Sequence, residues 1–267
     1  MEVKLIAFTC VGNEGDTPEP DQVCNLAARV CVSDEMPEME YVDHRLRFWT
    51  DGDCKALKHA IQSGHESVAE HATFTFAVSG VSRALTHQLV RHRIASFSQQ
   101  SQRYVNMEDF DYIIPKSMSD KVIAKSIDPI TLEPKEITLE MEYMNIIEDL
   151  HRAYKRLVDA GVPPEDARYI LPNACCPNII VTMNARELRH FFALRCCERA
   201  QWEIRELANK MLELVKPIAP KLFENAGPSC VQLGYCPEKK SCGKCVTKDE
   251  LMEYGKSYRI LKKLAEE

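Results

Sequence analysis

Apolar and polar positions along the chain change period several times, and each change marks an element. Val3 to Cys10 reads as a first strand, and residues 12–20 as a loop. Val23, Leu26, Ala27 and Val30 recur at helical spacing and predict a helix over 21–32. Leu57, Ala60 and Ile61 predict a second over 53–63, stopped by Gly64. Ser67 and Glu70 stand at capping-box spacing and predict a short helix start. Phe74, Phe76 and Val78 then alternate with Thr73, Thr75 and Ala77, the period of a half-buried strand. Val81, Leu85 and Leu89 return to an i, i+4, i+8 stripe and predict a helix anchored along one side. Residues 109–134 contain prolines and read as an excursion, with an edge strand at 112–114.

The strongest stripe is Met144, Ile147, Leu150, Tyr154, Leu157 and Val158. It predicts a helix over 137–159, ended by Gly161 and Pro163. Pro163 to Arg168 opens with proline and acids, as a short helix does, and Pro172 stops it. Ile179 to Met183 reads as a short buried strand. Asn184, with Glu187 three residues on, opens a helix that the periodicity carries through Trp202, Leu207, Met211 and Leu214 to Pro217. No segment repeats.

The chain has 267 residues, enough for one large domain or a domain with an appendage. Hydrophobic residues make up 45% and charged ones 28%, an ordinary globular balance. The net charge of −6 argues against a nucleic-acid polymer as partner, so basic clusters here are local features of an acidic body. No apolar run has the length of a membrane span, and Met1 to Leu5 lacks the basic start of a signal peptide. A cytoplasmic location is the expectation. Twelve cysteines there read as thiols or metal ligands more readily than as a disulfide framework.

Candidate chemistry concentrates in residues 91–104, which hold three arginines, a histidine, three serines and three glutamines, and no acid. Such a segment offers cations and neutral donors to an anion, above all phosphate. The helix before it delivers those donors, and Ile94, Ala95 and Phe97 predict partial burial. Arg195 shares a helix face with Leu188, Phe191 and Phe192. A cation on an apolar face needs an anionic or carbonyl partner, because an unpaired buried charge costs about 3–5 kcal/mol; a structural glutamate would also meet that need. His65 and His71 are six apart, not four, and do not form a zinc-protease motif. Cys230, Cys236, Cys242 and Cys245 fall within sixteen residues. They read either as candidate zinc ligands or as free or redox-active thiols.

Arg91-His92-Arg93, seven further residues and Ser101, followed by Gln102-Arg103-Tyr104, form a signature that resembles the flavin-dependent thymidylate synthases. Similar blocks run in the family's order: Ala28 to Val30, Gly64 to Ser67 with Glu70-His71, Phe74 to Phe76, Val162 through Arg168 to Pro172, and Asn184 through Arg195 to Trp202. The resemblance covers roughly residues 1–215. It implies an α+β fold, with mixed helices packed on a small antiparallel-containing sheet, and a homotetramer with FAD sites at subunit interfaces. A thymidylate synthase domain would span 1–225, and a Cys-rich extension with a terminal helix 226–267. The implied reaction converts dUMP to dTMP without an enzyme nucleophile. Its implied carbon donor is the folate 5,10-methylenetetrahydrofolate, and NADPH is oxidised through FAD.

By position, the resemblance implies FAD contacts at His65, Ser67, Arg91, His92, Arg93, Gln99, Asn184, Arg186 and His190. It implies dUMP contacts at Gln88, Arg91, Gln99, Gln100, Ser101, Gln102, Arg103, Arg168 and Arg195, with Arg195 polarising the uracil. The chain departs from some relatives in carrying Gln99 for an acid, and Ser98 and His190 for asparagine. Ser101 has no base placed beside it by sequence and is expected to bind dUMP, not attack it. Cys175-Cys176-Pro177 does not reproduce the Pro-Cys-His site of the cysteine-nucleophile thymidylate synthases. With only ten glycines and no Gly-x-Gly-x-x-Gly, the flavin diphosphate would rest on arginines, His92 and helix starts. The competing reading is a nucleotide-responsive or zinc-bearing binding protein that keeps the anion site and runs no chemistry.

Overall fold

The computed structural model describes residues 1–10, 20–34, 36–39, 54–119, 121–127 and 134–256. The loop expected at 12–20 lies outside them except for Pro20, which is helical, and so do Asp53 and the last eleven residues. In chain order the elements are β1 (Glu2–Phe8), α1 (Pro20–Val30), α2 (Lys55–Gln62), a 3-10 turn (Glu66–His71), β2 (Thr73–Ser79), α3 (Arg83–Leu89) and β3 (Ala95–Gln99). There follow β4 (Val122–Ile127), β5 (Pro134–Thr138), α4 (Leu139–Asp159), α5 (Pro164–Ala167), β6 (Ile179–Asn184), α6 (Ala185–Arg195), α7 (Trp202–Val215) and α8 (Ser229–Leu233). Residues 248–256 are helical as well. Four strands form a sheet in the order β1-β2-β6-β3, and β4 and β5 pair antiparallel with a register shift between Val122 and Ala124. Separate helices with small sheets place the chain in the α+β class.

By its contacts the chain divides into two compact units. The first comprises residues 1–2, 78–91 and 97–180, and the second residues 3–77, 92–96 and 181–267.

The first unit is built on α4. Thr138 Oγ1 accepts from Met141 N at 3.2 Å, so the helix starts two residues later than its periodicity suggested, and Glu140 and Glu142 suit its N-terminal dipole. Its buried seam carries Ile147 and Tyr154, packed with Met107, Phe110, Ala167 and Cys175. Tyr143, not Met144, occupies the seam one turn before Ile147. Met144 is rotated off it and exposed. The Tyr154 hydroxyl accepts from Met107 N at 3.3 Å, so its one polar atom is satisfied inside the core. Segment 173–175 anchors α3: Arg83 N donates to Cys175 O and Ala84 N to Asn173 O, while Ser82 Oγ accepts from Leu85 N. Gly80 has φ +62, and a Cβ there would stand 3.1 Å from Met1 N, so glycine is required twice over.

Strand β4 lies in the stretch read as an excursion, and β5 begins at its last residue, Pro134. Tyr112 forms only an isolated bridge with Cys175, not an edge strand.

In the second unit, Phe74 and Phe192 each meet Phe223 edge to face, at 5.4 and 5.9 Å. Leu57, Leu188, Ile204, Leu207 and Met211 are fully buried. Asp21, only 2% exposed, accepts from Lys221 N at 2.8 Å and Leu222 N at 2.9 Å, which compensates its burial. Asn25 Oδ1 accepts from Leu57 N, tying α1 to α2. The helix expected to run unbroken from Asn184 to Pro217 is two helices. α6 ends at Arg195, and Gln201 Oε1 caps α7 by accepting from Glu203 N and Ile204 N, both at 3.1 Å. An apolar stripe that happens to continue across the break concealed it. The 3-10 turn at Glu66–His71 begins after His65 with no side-chain cap, so the Ser67–Glu70 capping box does not form.

Candidate active site

The second unit places a hydrogen-bonded chain of three polar side chains along α6, two of them buried. Asn184 ends β6 and caps the helix, its Oδ1 accepting from Glu187 N at 2.8 Å. Glu187 and Arg195 are eight residues apart, two turns along one face, with Phe191 between them. His92 lies against that face. Its Nδ1 is 3.0 Å from Glu187 Oε1, and Arg195 Nε donates to its Nε2 at 3.1 Å. The ring also packs edge to face on Phe191 at 4.9 Å and on His190 at 5.8 Å.

A guanidinium can only donate, so Nε2 must carry the lone pair and Nδ1 the proton, donated to the Glu187 carboxylate. Burial holds the imidazole below its ordinary pKa. The Glu187 bond opposes that shift and the Arg195 charge adds to it. His92 is therefore neutral in the middle of the chain. It transmits the orientation fixed by Glu187 to the half-buried Arg195, whose remaining guanidinium nitrogens are free to address a ligand. This answers the question Arg195 raised: its partner is a histidine, and the glutamate stands one residue further on.

Around it, Arg186 pairs with Glu70 at 2.5 Å, and Arg189 reaches Glu66 Oε1 at 3.4 Å and Leu222 O at 2.7 Å. These pairs tie α6 to the 3-10 turn, which also carries Ser67 and is preceded by His65. His65, Ser67, Arg93, Arg186 and His190 are all exposed, and the Arg93 guanidinium makes no ion pair among the described residues. Ile94, expected to be partly buried, is 67% exposed.

The first unit gathers a different set. Arg103 Nε and Nη2 bind Glu165 Oε2 at 3.1 and 2.9 Å, and Arg168 Nε donates to Glu165 O at 2.9 Å. Two guanidinium groups are thus assembled on one residue at the start of α5. Ser101 Oγ accepts from Arg103 N at 3.2 Å, and Gln100 Oε1 accepts from Asn178 N at 3.3 Å. Gln99 ends β3 and is half-buried. Gln88 stands half-buried on α3 with Arg91 exposed beyond its end; the Arg91 guanidinium also has no ion pair among the described residues. Gln102 is buried, its amide donating to Cys175 Sγ at 3.6 Å.

Sequence reasoning missed Glu187 and Glu165. The two-turn spacing of Glu187 from Arg195 was a usable signal. Glu165 stands 62 residues from Arg103 and gave none.

Of the tail cysteines, one pair is close. Cys245 and Cys230 stand with sulfurs 3.0 Å apart, and among the described residues no three His, Cys, Asp or Glu side chains converge as metal ligands.

The chain thus combines an α+β body with a guanidinium held by a buried histidine and a second pair of arginines assembled on one acid. Comparison with known proteins identifies the family. Residues 14–221 match the family model described as thymidylate synthase complementing protein. The chain is 48% identical over 232 residues to a flavin-dependent thymidylate synthase of Geobacter sulfurreducens, covering 85% of this chain and 91% of that protein. It is 45% identical over 256 residues to one of Clostridium tetani, covering 91% and 94%. It is 46% identical over 195 residues to one of Pyrococcus furiosus, covering 69% and 73%. The chain belongs to the flavin-dependent thymidylate synthase family.

Proposed function

We propose that this protein makes dTMP by reductive methylation of dUMP, taking its carbon from 5,10-methylenetetrahydrofolate and its hydride from NADPH through FAD, with no enzyme nucleophile. The observation that carries the reading is the Glu187–His92–Arg195 chain. A uracil ring that turns anionic as it reacts gains most from a cation already aimed at it, because that interaction strengthens on the way to the transition state. Arg195 fills that role. Its orientation is fixed beforehand, so little reorganisation is left for the reaction.

Arg103 and Arg168 suit a phosphate monoester dianion, which two forked donors bind better than one. Ser101, Gln88 and Gln100 add neutral donors for the same substrate, and the set also takes in Gln99, Arg91 and Gln102. The residues also fit a flavin dinucleotide. Its diphosphate asks for cations and neutral donors, which Arg91, Arg93, Arg186, Ser67, Asn184, His65 and His190 supply from exposed or half-buried positions. His92 acts through Arg195. When bound, the flavin supplies the redox chemistry; the protein binds, orients and excludes water. The reading includes a cytoplasmic homotetramer with FAD sites at subunit interfaces, a synthase domain over residues 1–225, and an extension over 226–267.

Arg195→Ala tests the reading. The variant should retain FAD and lose most dTMP formation, and unchanged turnover in a folded, flavin-loaded variant would remove Arg195 from the chemistry.

A further inference from the structure

The extension after residue 225 is clasped to the C-terminal half of α6 and the turn that follows it. Ser229 Oγ donates to Ala193 O at 3.1 Å, and Gln232 Nε2 to Arg189 O at 3.2 Å. Arg199 Nη1 donates to Lys240 O at 2.6 Å, and Lys244 Nζ pairs with Glu198 Oε1 at 2.8 Å. Cys236 N donates to Val246 O at 2.7 Å, which fixes the backbone beside Cys245. These contacts enclose a cavity of about 450 Å³, and Cys197, Cys230, Cys236, Cys242 and Cys245 are among its lining residues.

Within that cluster one pair stands apart. The sulfurs of Cys230, on α8, and Cys245 stand 3.0 Å apart in the cavity lining, fifteen residues apart in sequence. A disulfide needs about 2.05 Å, so a small approach of the two sulfurs closes it. Each is held from a separate anchor, Cys230 by the Ser229 and Gln232 bonds and Cys245 by Lys244–Glu198 and the Cys236–Val246 bond. Their approach is therefore preset by the fold. Both are partly accessible, as reaction with a small reagent requires.

We propose that Cys230 and Cys245 form a dithiol–disulfide site that reacts with small-molecule disulfides such as oxidised glutathione, independent of the reaction proposed above. In the first step the Cys245 thiolate attacks one sulfur of the small disulfide. A Cys245–S bond forms, the small S–S bond breaks, and one small thiolate leaves and takes up a proton. In the second step the Cys230 thiolate attacks the Cys245 sulfur, closing the internal disulfide and releasing the second small thiol. The two protein sulfurs are oxidised by two electrons and the small disulfide is reduced to two thiols. Burial and the neighbouring Cys245 push the Cys230 thiol up to about 11, so Cys230 is the thiol that waits, and its attack in the second step relies on proximity to the Cys245 sulfur. The oxidised form ties the Lys244 segment to α8, and so pins the extension across the turn that follows Arg195.

The full-length reduced chain, prepared without chelator, is equilibrated in glutathione buffers of rising oxidised fraction. Free thiols are then alkylated and the protein is digested for peptide mass analysis. The expected product is a Cys230–Cys245 linked peptide, lighter by two hydrogens, that forms ahead of any other pair. Cys230→Ser is expected to trap a glutathione adduct on Cys245. A Cys242–Cys245 link as the main product, or adducts persisting on Cys245 in the unaltered chain without a link, would overturn the proposal. So would zinc at one per chain that is lost in Cys230→Ser and Cys245→Ser. The peptide map of the unaltered chain decides the matter even if a variant fails to fold.

Discussion

Glu187 touches no ligand in this account, yet it should control turnover. Its carboxylate accepts the Nδ1 proton of His92 at 3.0 Å and thereby leaves Nε2 as the acceptor for Arg195. Glu187→Ala removes that acceptor. The buried Nδ1–H is left unpaired, which costs about 1–3 kcal/mol of stability. The ring is also released to its other tautomer, in which Nε2–H faces the Arg195 N–H and the hydrogen bond between them is lost. A hydrogen bond to a charged group contributes about 1.5–3 kcal/mol, and each 1.36 kcal/mol is tenfold in rate. If Arg195 acts in the transition state, dTMP formation at saturating substrate should fall by roughly ten- to a hundredfold. Glu187→Gln keeps an oxygen that accepts from Nδ1–H and loses only the charge assistance, about 1 kcal/mol, so it should retain most of the turnover. The assay is dTMP formation by both variants at matched flavin content, with urea unfolding run alongside. An alanine variant with full turnover, or a glutamine variant that falls as far as alanine, would refute the positioning argument.

Other outcomes follow from the same geometry. His92 is held below its ordinary value near 6.5, so below pH 6.5 the unfolded chain binds its proton more readily than the folded one. Its contribution to stability is therefore whole above pH 6.5 and is lost as pH falls through the folded value; a urea midpoint that did not fall with acidification in the parent, relative to His92→Gln, would contradict this. Arg168→Ala should raise the KM for dUMP about tenfold or more while changing kcat less, since it removes one charge-assisted contact to a phosphate that is bound throughout; a kcat loss at constant KM would count against it. Burial pushes the thiols of Cys24 and Cys196 up to about 12, so at pH 8 both should resist alkylation until unfolding, while exposed Cys10, Cys31 and Cys242 react first. Peptide mapping of brief alkylation checks that order.

Much of the fold was legible where the signal is local. The α4 stripe, the β2 alternation and the Asn184 cap each lie within a few residues of sequence, and the structure shows all three. The β4–β5 pair was not legible. Val122 and Ile123 are about half exposed, so the pair is made by backbone bonding to each other, without the buried face that alternation reports. β3 was not read as a strand, because its alternation of half-buried and exposed positions is carried by Ala95, Phe97 and Gln99, a weak apolar face. Ile179 to Met183 was read as a short buried strand; it is a strand, but Ile180 is 38% exposed and burial alternates along it. At the candidate site, the sequence singled out Arg195, His92 and the arginine pair individually. Their partners span 95 residues from His92 to Glu187 and 62 from Arg103 to Glu165, separations that only the folded chain closes.

The central claim is that one protein binds a flavin and dUMP together and uses them in one reaction. The most direct measurement is a spectral titration of the flavin-free protein: FAD is added to saturation, then dUMP, while the flavin absorption band is followed. The account predicts a saturable change with FAD and a second perturbation with dUMP, the second weakened in Arg195→Ala. A folded protein that binds no flavin, or a flavin band indifferent to dUMP, would contradict it.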